Sequence, residues 1–165
     1  MRGFFSLYSG RHYQIHSRSS AMSVSYKGLE FPTELLARWA AFFDLAGWQW
    51  NTNISPISNW KPDFKVTFPC GHSECSGSHT LLISVLPVPT IDSLDGHPAV
   101  RQPYHLQDES GQWLADGGAL FGNNPDATYW DIVHGAGGGP ENVHFRVHDA
   151  ARFWHESLGL VQSPR

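Results

Sequence analysis

Residue types that bind metals are concentrated in one ten-residue segment of this 165-residue chain. Both of its cysteines and two of its ten histidines fall there in the spacing C-x-H-x2-C-x3-H, as Cys70, His72, Cys75 and His79. Thiolate and imidazole together suit tetrahedral Zn²⁺, and four protein ligands make a closed structural site. The segment therefore predicts a structural zinc site formed by these four side chains.

The same segment has two explanations that need no metal. Cys70 and Cys75 could form a disulfide, although a reducing cytoplasm disfavours one. Alternatively, the segment is a polar hairpin loop whose histidines are incidental. Gly71 and Gly77 would let the backbone bend in any of these cases.

The clearest element that could position this segment is a helix that begins after Phe31-Pro32. Thr33 can cap it, and Gly47 can end it. Its apolar residues recur at helical spacing, which predicts an amphipathic core helix. These apolar residues are Leu35, Leu36, Trp39, Phe42, Phe43 and Ala46.

Three strands are predicted to follow this helix. Residues 48–51 and 64–68 alternate apolar and polar side chains, as half-buried strands do. Residues 81–88 form an apolar run broken only by Ser84, which is typical of a strand covered on both faces. The cysteine–histidine segment would then form the hairpin between the second and third strands.

The pattern is weaker after Pro89. Gly96, Pro98 and Pro103 make any short helix in residues 91–104 irregular. The remaining predictions are a strand pair in 113–121, a turn at 123–126, a loop at 135–140, a strand at 142–147, and a helix from a cap at Asp149 to a stop at Gly159.

Length and composition predict a single domain. A chain of this size buries roughly 70% of its unfolded surface, and its aromatic residues supply a core. We expect a mobile leader at 1–24, with Met22 as an alternative start, or else a first strand within 3–8, and a folded domain at 25–162. No run approaches the roughly 18 apolar residues of a membrane span, and no export signal is evident, so the expected location is the cytoplasm.

Charge is unevenly distributed along the chain. The residues before Glu30 include four basic side chains and no acidic one. From Glu30 onward, the chain contains fifteen acidic residues and seven basic ones. Proteins that grip nucleic acid usually need a basic face to displace counterions from phosphates. The acidic body therefore disfavours nucleic acid and favours a protein partner with a basic surface.

The order of helix, strand, strand opening with Pro62-Asp63, and third strand resembles the PD-(D/E)XK, or restriction-endonuclease-like, nuclease superfamily. The amino-acid sequences of residues 26–28, 35–44 and 60–64 are similar to those of uncharacterised proteins of phages and actinobacterial mobile elements. The match covers roughly residues 26–88. The resemblance implies an α/β (α+β) fold in which helices flank a central mixed sheet. The cysteine–histidine segment would add a hairpin held by zinc.

Such nucleases use carboxylates to hold divalent cations and a lysine to assist the attacking water. The resemblance places Asp63 at the first carboxylate. It places Ser84 and Leu86 where the family has its glutamate and lysine, and Leu36 where it has a helical glutamate. One carboxylate cannot assemble the usual Mg²⁺ site, so Asp63 is expected to be a residual catalytic position that serves as a strand-start hydrogen-bond acceptor.

The leading functional hypothesis is a catalytically inactive nuclease-fold protein of phage or mobile-element origin. It would act by binding, for example by inhibiting a nucleic-acid-handling or CRISPR-type defence complex of the host. One alternative is an active Mg²⁺-dependent nuclease rebuilt around Asp63, with Glu34, Glu74 or Asp92 as the replacement carboxylate. The other is a zinc-containing nucleic-acid-binding module with a basic face at Arg38, Lys61 and Lys65.

Overall fold

Six strands form the central sheet of this protein. The computed structural model describes residues 23–161. The strands are β3 (Gln49–Asn51), β4 (Phe64–Pro69), β5 (Ser78–Val85), β8 (Gly117–Phe121), β9 (Thr128–His134) and β10 (Gly137–Glu141). They lie in the order β10-β9-β8-β5-β4-β3, and neighbouring strands are antiparallel except β5 and β8, which are parallel, so the sheet is mixed.

Two two-stranded ribbons accompany this sheet. The first joins β1 (Val24–Tyr26) to β2 (Leu29–Phe31), and the second joins β6 (Leu106–Gln107) to β7 (Trp113–Ala115). Lys27 and Gly28 connect β1 to β2 with positive φ angles of 49° and 76°. Glycine adopts such angles without steric cost, and a two-residue turn of this kind matches the twist of a hairpin.

Two helices pack on one face of the sheet. Helix α1 spans Glu34–Leu45, and helix α2 spans Ala150–Leu160. The Thr33 hydroxyl accepts a hydrogen bond from the Leu36 N–H at 3.2 Å, and Gly47 follows the helix with a φ of 72°. The predicted cap and stop of α1 are therefore confirmed.

The core under the helices is aromatic. Trp39 of α1 is fully buried and contacts Phe121 of β8 and Trp154 of α2, with ring centroids 4.7 Å and 4.4 Å apart. Phe43 meets Phe64 of β4 in an edge-to-face arrangement. Aromatic pairs of this geometry add stability beyond the area they bury.

Irregular segments cover the other face of the sheet. Leu82 and Leu120 point to this face, where they meet Trp60, Ala99, Leu106 and Ala115. Because Leu81 and Ile83 point to the helical face, β5 is covered on both sides, as its apolar sequence predicts. Among the described residues, helices of more than one turn lie on one face only.

Several predicted elements have different bounds or types. Residues 91–104 contain only a 3₁₀ turn, Pro98–Val100. The glycine-rich segment predicted as a loop forms edge strand β10, and the strand predicted at 142–147 is replaced by a 3₁₀ turn, Val143–Phe145. The Asn142 side chain accepts the His144 N–H at 3.0 Å, so this residue caps a turn and does not extend a strand.

The predicted leader, 1–24, lies outside the described residues except for its last two, and the alternative strand at 3–8 lies wholly outside them. Val24 is buried and pairs with Phe31, so residue 24 already belongs to β1. Within residues 23–161, no helix has the length and apolar character needed to cross a membrane.

Candidate metal centre

Four metal-ligand side chains converge at one end of the central sheet: Cys70, Cys75, His79 and His134. Their ligand atoms all lie within 4.8 Å of one another. We call this group the four-ligand cluster. Both cysteines are free thiols, so the disulfide alternative is not realised.

The distances within the cluster fit a tetrahedral ion. His134 Nδ1 lies 3.2 Å from His79 Nε2, 3.3 Å from the Cys75 sulfur and 3.6 Å from the Cys70 sulfur. A tetrahedral zinc ion with bonds of about 2.3 Å to sulfur and about 2.0–2.1 Å to nitrogen separates its ligand atoms by roughly 3.3–3.8 Å. These are three of the six edges of such a site, and each agrees with the expected length to within about 0.3 Å.

Strand topology explains why the two histidines meet. Strand β8 lies between β5 and β9, but its pairing with β5 begins at Gly117 opposite Leu81, two residues after His79. Because β9 runs antiparallel to β8, its last residue, His134, lies at the same end of the sheet. The two imidazoles therefore come together beyond the N-terminal end of β8.

Side-chain alternation places both histidines on the helical side of the sheet. His79 shares the parity of Leu81, and His134 shares that of Ile132, and both of these apolar residues belong to the core under the helices. His79 is buried, while His134 is partly buried. A one-residue slip of either strand would turn its imidazole to the opposite face.

The loop between β4 and β5 supplies the two thiols. The Cys70 N–H donates to the Gly77 carbonyl at 2.9 Å, and the Cys75 N–H donates to the His72 carbonyl at 3.1 Å. Gly77 has a φ of 99°, which turns the chain back into β5. The Gly135 N–H, from the β9–β10 turn, hydrogen-bonds the Cys75 thiol.

His72, one of the four predicted ligands, is not a member of the cluster. Its side chain is exposed, and its Nδ1 accepts the Glu74 N–H at 3.3 Å. His134 takes the fourth position instead. The sequence analysis missed His134 because it lies 55 residues after His79, although the alternation of Thr128, Trp130 and Ile132 with polar or less apolar neighbours is a usable strand signal.

The environment of the cluster favours the metal-binding form of His79 but not that of Cys75. Burial lowers the pKa of His79, and a neutral imidazole is the form that binds metals. Partial burial and the adjacent Cys70 raise the pKa of the Cys75 thiol, so it needs a cation to become a thiolate. The remaining ring nitrogen of each histidine contacts a carboxylate, Asp116 for His79 and Glu141 for His134.

Asp63, the residue that the resemblance places in a nuclease site, lies outside the four-ligand cluster. One Asp63 carboxylate oxygen accepts the Val85 N–H at 2.7 Å, as expected of a strand-start acceptor. Burial raises the pKa of Asp63, and the opposing effects of the Val85 hydrogen bond and of the positive charges of His97 and Lys61 are smaller. Within residues 23–161, groups of three or more potential ligands occur only at the four-ligand cluster, so no group of this size forms around Asp63.

The resemblance identifies three further positions at which the family has charged side chains. Here these positions hold Leu36, Ser84 and Leu86, which pack in the core or form an uncharged hydrogen bond. Leu36 packs against the core under the helices, and Leu86 packs against the core of the opposite face. The Ser84 hydroxyl accepts a hydrogen bond from the Trp60 indole at 2.8 Å. None of the three positions that the resemblance identifies therefore supplies a second carboxylate to Asp63.

An acidic groove lies on the sheet face opposite the helices. Two adjoining cavities of about 360 and 240 Å³ share Val100 and Tyr129 in their walls. Their acidic and phenolic side chains are Asp92, Asp95, Asp131, Tyr104 and Tyr129. The Tyr104 hydroxyl donates to Asp131 at 2.8 Å. No lysine or arginine from the described part of the chain lines either cavity, although Arg101 reaches the Asp95 carbonyl nearby.

Comparison with known proteins identified no relatives: no family model, curated protein or solved structure matches this chain.

Proposed function

We propose that the four-ligand cluster is a structural zinc centre that joins the β4–β5 hairpin to the β9–β10 hairpin. The observation that supports it is the convergence of two sulfurs and two imidazole nitrogens within 4.8 Å of one another, with His134 Nδ1 at near-tetrahedral separations from the other three. Two thiolates and two imidazoles suit Zn²⁺ better than Mg²⁺ or Ca²⁺, which prefer oxygen ligands. Four protein ligands complete the tetrahedron, so the ion would stabilise the fold and would not hold a reactive water.

Metal analysis tests this proposal directly. Purified protein should contain about one zinc per chain, and removal of the zinc by a strong chelator should lower the melting temperature. A ligand that binds only the folded state at a hundred times its Kd stabilises that state by about 2.7 kcal/mol. A preparation exposed to excess zinc that carries no bound metal would refute the zinc centre.

For the protein as a whole, we propose a non-catalytic function on a restriction-endonuclease-like fold. The supporting observation is that the Asp63 carboxylate accepts a backbone hydrogen bond while Leu36, Ser84 and Leu86 fill the remaining catalytic positions. Hydrolysis of a phosphodiester by such a site requires at least two carboxylates around a divalent cation. The protein would then act by binding a partner.

The acidic body favours a partner with a basic surface. Residues from Glu30 onward carry fifteen acidic and seven basic side chains. Two of these seven basic residues form ion pairs within the protein: Arg146 pairs with Glu141, and Arg152 pairs with Asp149 and Glu156. Complementary charge accelerates encounter and sets the register of a complex. The acidic groove is the proposed contact surface, because its tyrosine walls and carboxylates suit arginine or lysine side chains.

The family resemblance suggests the class of this partner. Proteins that handle nucleic acids have basic grooves, and a CRISPR-type or other defence complex of a phage host belongs to this class. The acidic protein would occupy such a groove in competition with the nucleic acid. This part of the proposal rests on charge and on the resemblance of residues 26–88.

Affinity capture with matched variants tests the binding function. The variant Asp92→Asn/Asp95→Asn/Asp131→Asn should lose a host protein that the wild type retains. The variant Glu30→Gln/Glu109→Gln/Glu156→Gln makes the same change in net charge elsewhere and should retain it. Equal recovery by all three proteins, or recovery of no specific protein, would count against the groove.

A nuclease assay tests the non-catalytic part of the proposal. Single- and double-stranded DNA should remain intact with Mg²⁺ or Mn²⁺ present. Metal-dependent cleavage that disappears in Asp63→Ala would establish the nuclease alternative instead.

A further inference from the structure

We propose that Asp116 and Glu141 are positioning residues of the metal centre, each holding one ligand histidine with a defined ring nitrogen directed at the ion. This inference rests on the proposed zinc centre and assigns residues outside the four ligands. A neutral imidazole binds a metal through one nitrogen and carries a proton on the other. The partner of the protonated nitrogen therefore decides which nitrogen is free to bind.

His79 is oriented by Asp116. Its Nδ1 lies 3.2 Å from Asp116 Oδ2, and its Nε2 faces the cluster. The same carboxylate oxygen accepts the Thr80 N–H at 2.8 Å, while the Asp116 N–H donates to the Thr80 carbonyl at 2.8 Å. Asp116 is thus attached to β5 at the residue that follows His79, and its carboxylate has little freedom to leave the imidazole.

His134 is oriented in the opposite sense by Glu141. Its Nε2 lies 2.7 Å from Glu141 Oε1 and 2.9 Å from Arg146 Nη2, and its Nδ1 faces the cluster. A carboxylate oxygen only accepts hydrogen bonds, so the shorter of the two contacts favours a proton on Nε2. The centre therefore uses one histidine through Nε2 and the other through Nδ1. Two carboxylates from different segments are needed because the protonated nitrogens point in different directions from the ion.

Glu141 is itself held in place by two further side chains. Arg146 donates to both of its carboxylate oxygens, at 2.7 and 3.0 Å, and the Trp130 indole donates to Oε2 at 3.0 Å. These three hydrogen bonds fix the Glu141 carboxylate beside Nε2 of His134. Arg146 also contacts the Cys70 sulfur at 3.8 Å.

A third histidine–carboxylate pair provides a matched control. His144 Nε2 lies 2.7 Å from Asp126 Oδ1, a separation equal to that of His134 and Glu141. This pair is exposed and lies outside the four-ligand cluster. Removing its carboxylate changes a similar contact without touching a proposed ligand.

The test measures zinc affinity of the full chain by competition with a chromophoric chelator. Asp116→Asn and Glu141→Gln should each weaken zinc binding roughly 10–100-fold while leaving the stoichiometry unchanged. Asp126→Asn should bind as the wild type does. Cobalt-loaded variants should keep the absorption bands of a tetrahedral thiolate site, because all four ligands remain.

Two outcomes would overturn the inference. One is zinc affinity in Asp116→Asn and Glu141→Gln equal to that of Asp126→Asn. The other is a loss of affinity fully accounted for by lower stability of the metal-free variants in urea, which would make these residues supports of the fold. Failure of the wild type to bind zinc would instead refute the proposed centre itself, so the two results are distinguishable.

Discussion

His134 Nδ1 lies 3.2 Å from His79 Nε2, although 55 residues separate the two histidines along the chain. The contact joins the last residue of β9 to the beginning of β5. Strand β8 lies between these two strands but starts too late to separate the two imidazoles. Together with the thiols of the β4–β5 loop, the contact makes the four-ligand cluster a link between two hairpins that are distant in sequence.

The first prediction separates His134 from His72 as a ligand. His134→Ala should lower the zinc content from about one ion per chain to a small fraction of that, because three ligands remain. His72→Ala should retain the full zinc content, since its exposed ring lies outside the cluster. Elemental analysis after gel filtration measures both. Cys75→Ser serves as a positive control for loss of a ligand, and loss of zinc from His72→Ala alone would show that the wrong histidine has been assigned.

The second prediction concerns the charge of Asp63. Burial raises the pKa of this carboxyl, so folding favours its protonated form and the ionised form costs stability. Asparagine retains an acceptor for the Val85 N–H and removes the charge. Relative to Asp63→Asn, the wild type should therefore lose unfolding free energy as the pH rises above about 4 and through the raised pKa. Urea titrations from pH 3.5 to 7 measure the difference.

Glu109 provides the control for this pH series, because its side chain is exposed. Glu109→Gln should show little change with pH relative to the wild type. An Asp63→Asn protein that becomes steadily less stable than the wild type as the pH rises would contradict the prediction, and would indicate that the ionised carboxylate is stabilised in the fold.

The third prediction concerns Asp44, which joins α1 to two other elements. The Tyr26 hydroxyl donates to it at 2.6 Å and the Trp50 indole at 3.0 Å, while Lys27 lies 2.8 Å away. Burial alone would raise the pKa of Asp44, but hydrogen bonds from Lys27, Tyr26 and Trp50 together lower it. Asp44→Asn should cost roughly 1–3 kcal/mol at neutral pH, because these hydrogen bonds are made to a charged group.

The sign of the pH dependence follows from the lowered pKa. The stability that Asp44 contributes is present above its ordinary value near 3.8 and is lost as the pH falls through the folded-state pKa. The gap between the wild type and Asp44→Asn should therefore shrink in acid. Lys27→Met should cost well under 1 kcal/mol, since the Lys27 side chain is 63% exposed and its ion pair is screened. A gap that widens in acid would contradict this assignment.

The fourth prediction tests how closely the irregular segment covers the sheet. A methyl group on Gly118 would collide with the Ala99 carbonyl, whereas one on Gly137 would meet no atom within 4 Å. Gly118→Ala should destabilise the protein by about 1–3 kcal/mol through overpacking, and Gly137→Ala should have little effect. Chemical denaturation measures both variants, and equal stabilities would mean that the Ala99 segment moves away easily.

Local patterns were sufficient for the elements whose signals lie within a dozen residues. The cap at Thr33 and the helical spacing of α1 predicted what the structure contains. The apolar run at 81–88 predicted a strand correctly, but β5 spans Ser78–Val85, so its bounds were wrong. The mixed central sheet also follows the expected order of helix and three strands. Strand β10 could not be predicted in this way, because its glycines have no intrinsic preference for a strand and its pairing with β9 supplies the hydrogen bonds.

The sequence by itself predicted a ligand group containing Cys70, Cys75 and His79, because all three lie within one ten-residue segment. It also showed that Ser84 and Leu86, the positions that the resemblance identifies, carry no charge. Only the tertiary structure decided that His134 completes the cluster in place of His72. The physical reason is that the parallel pairing of β5 with β8, and the antiparallel return of β9, bring two strand ends to one point that no local spacing specifies.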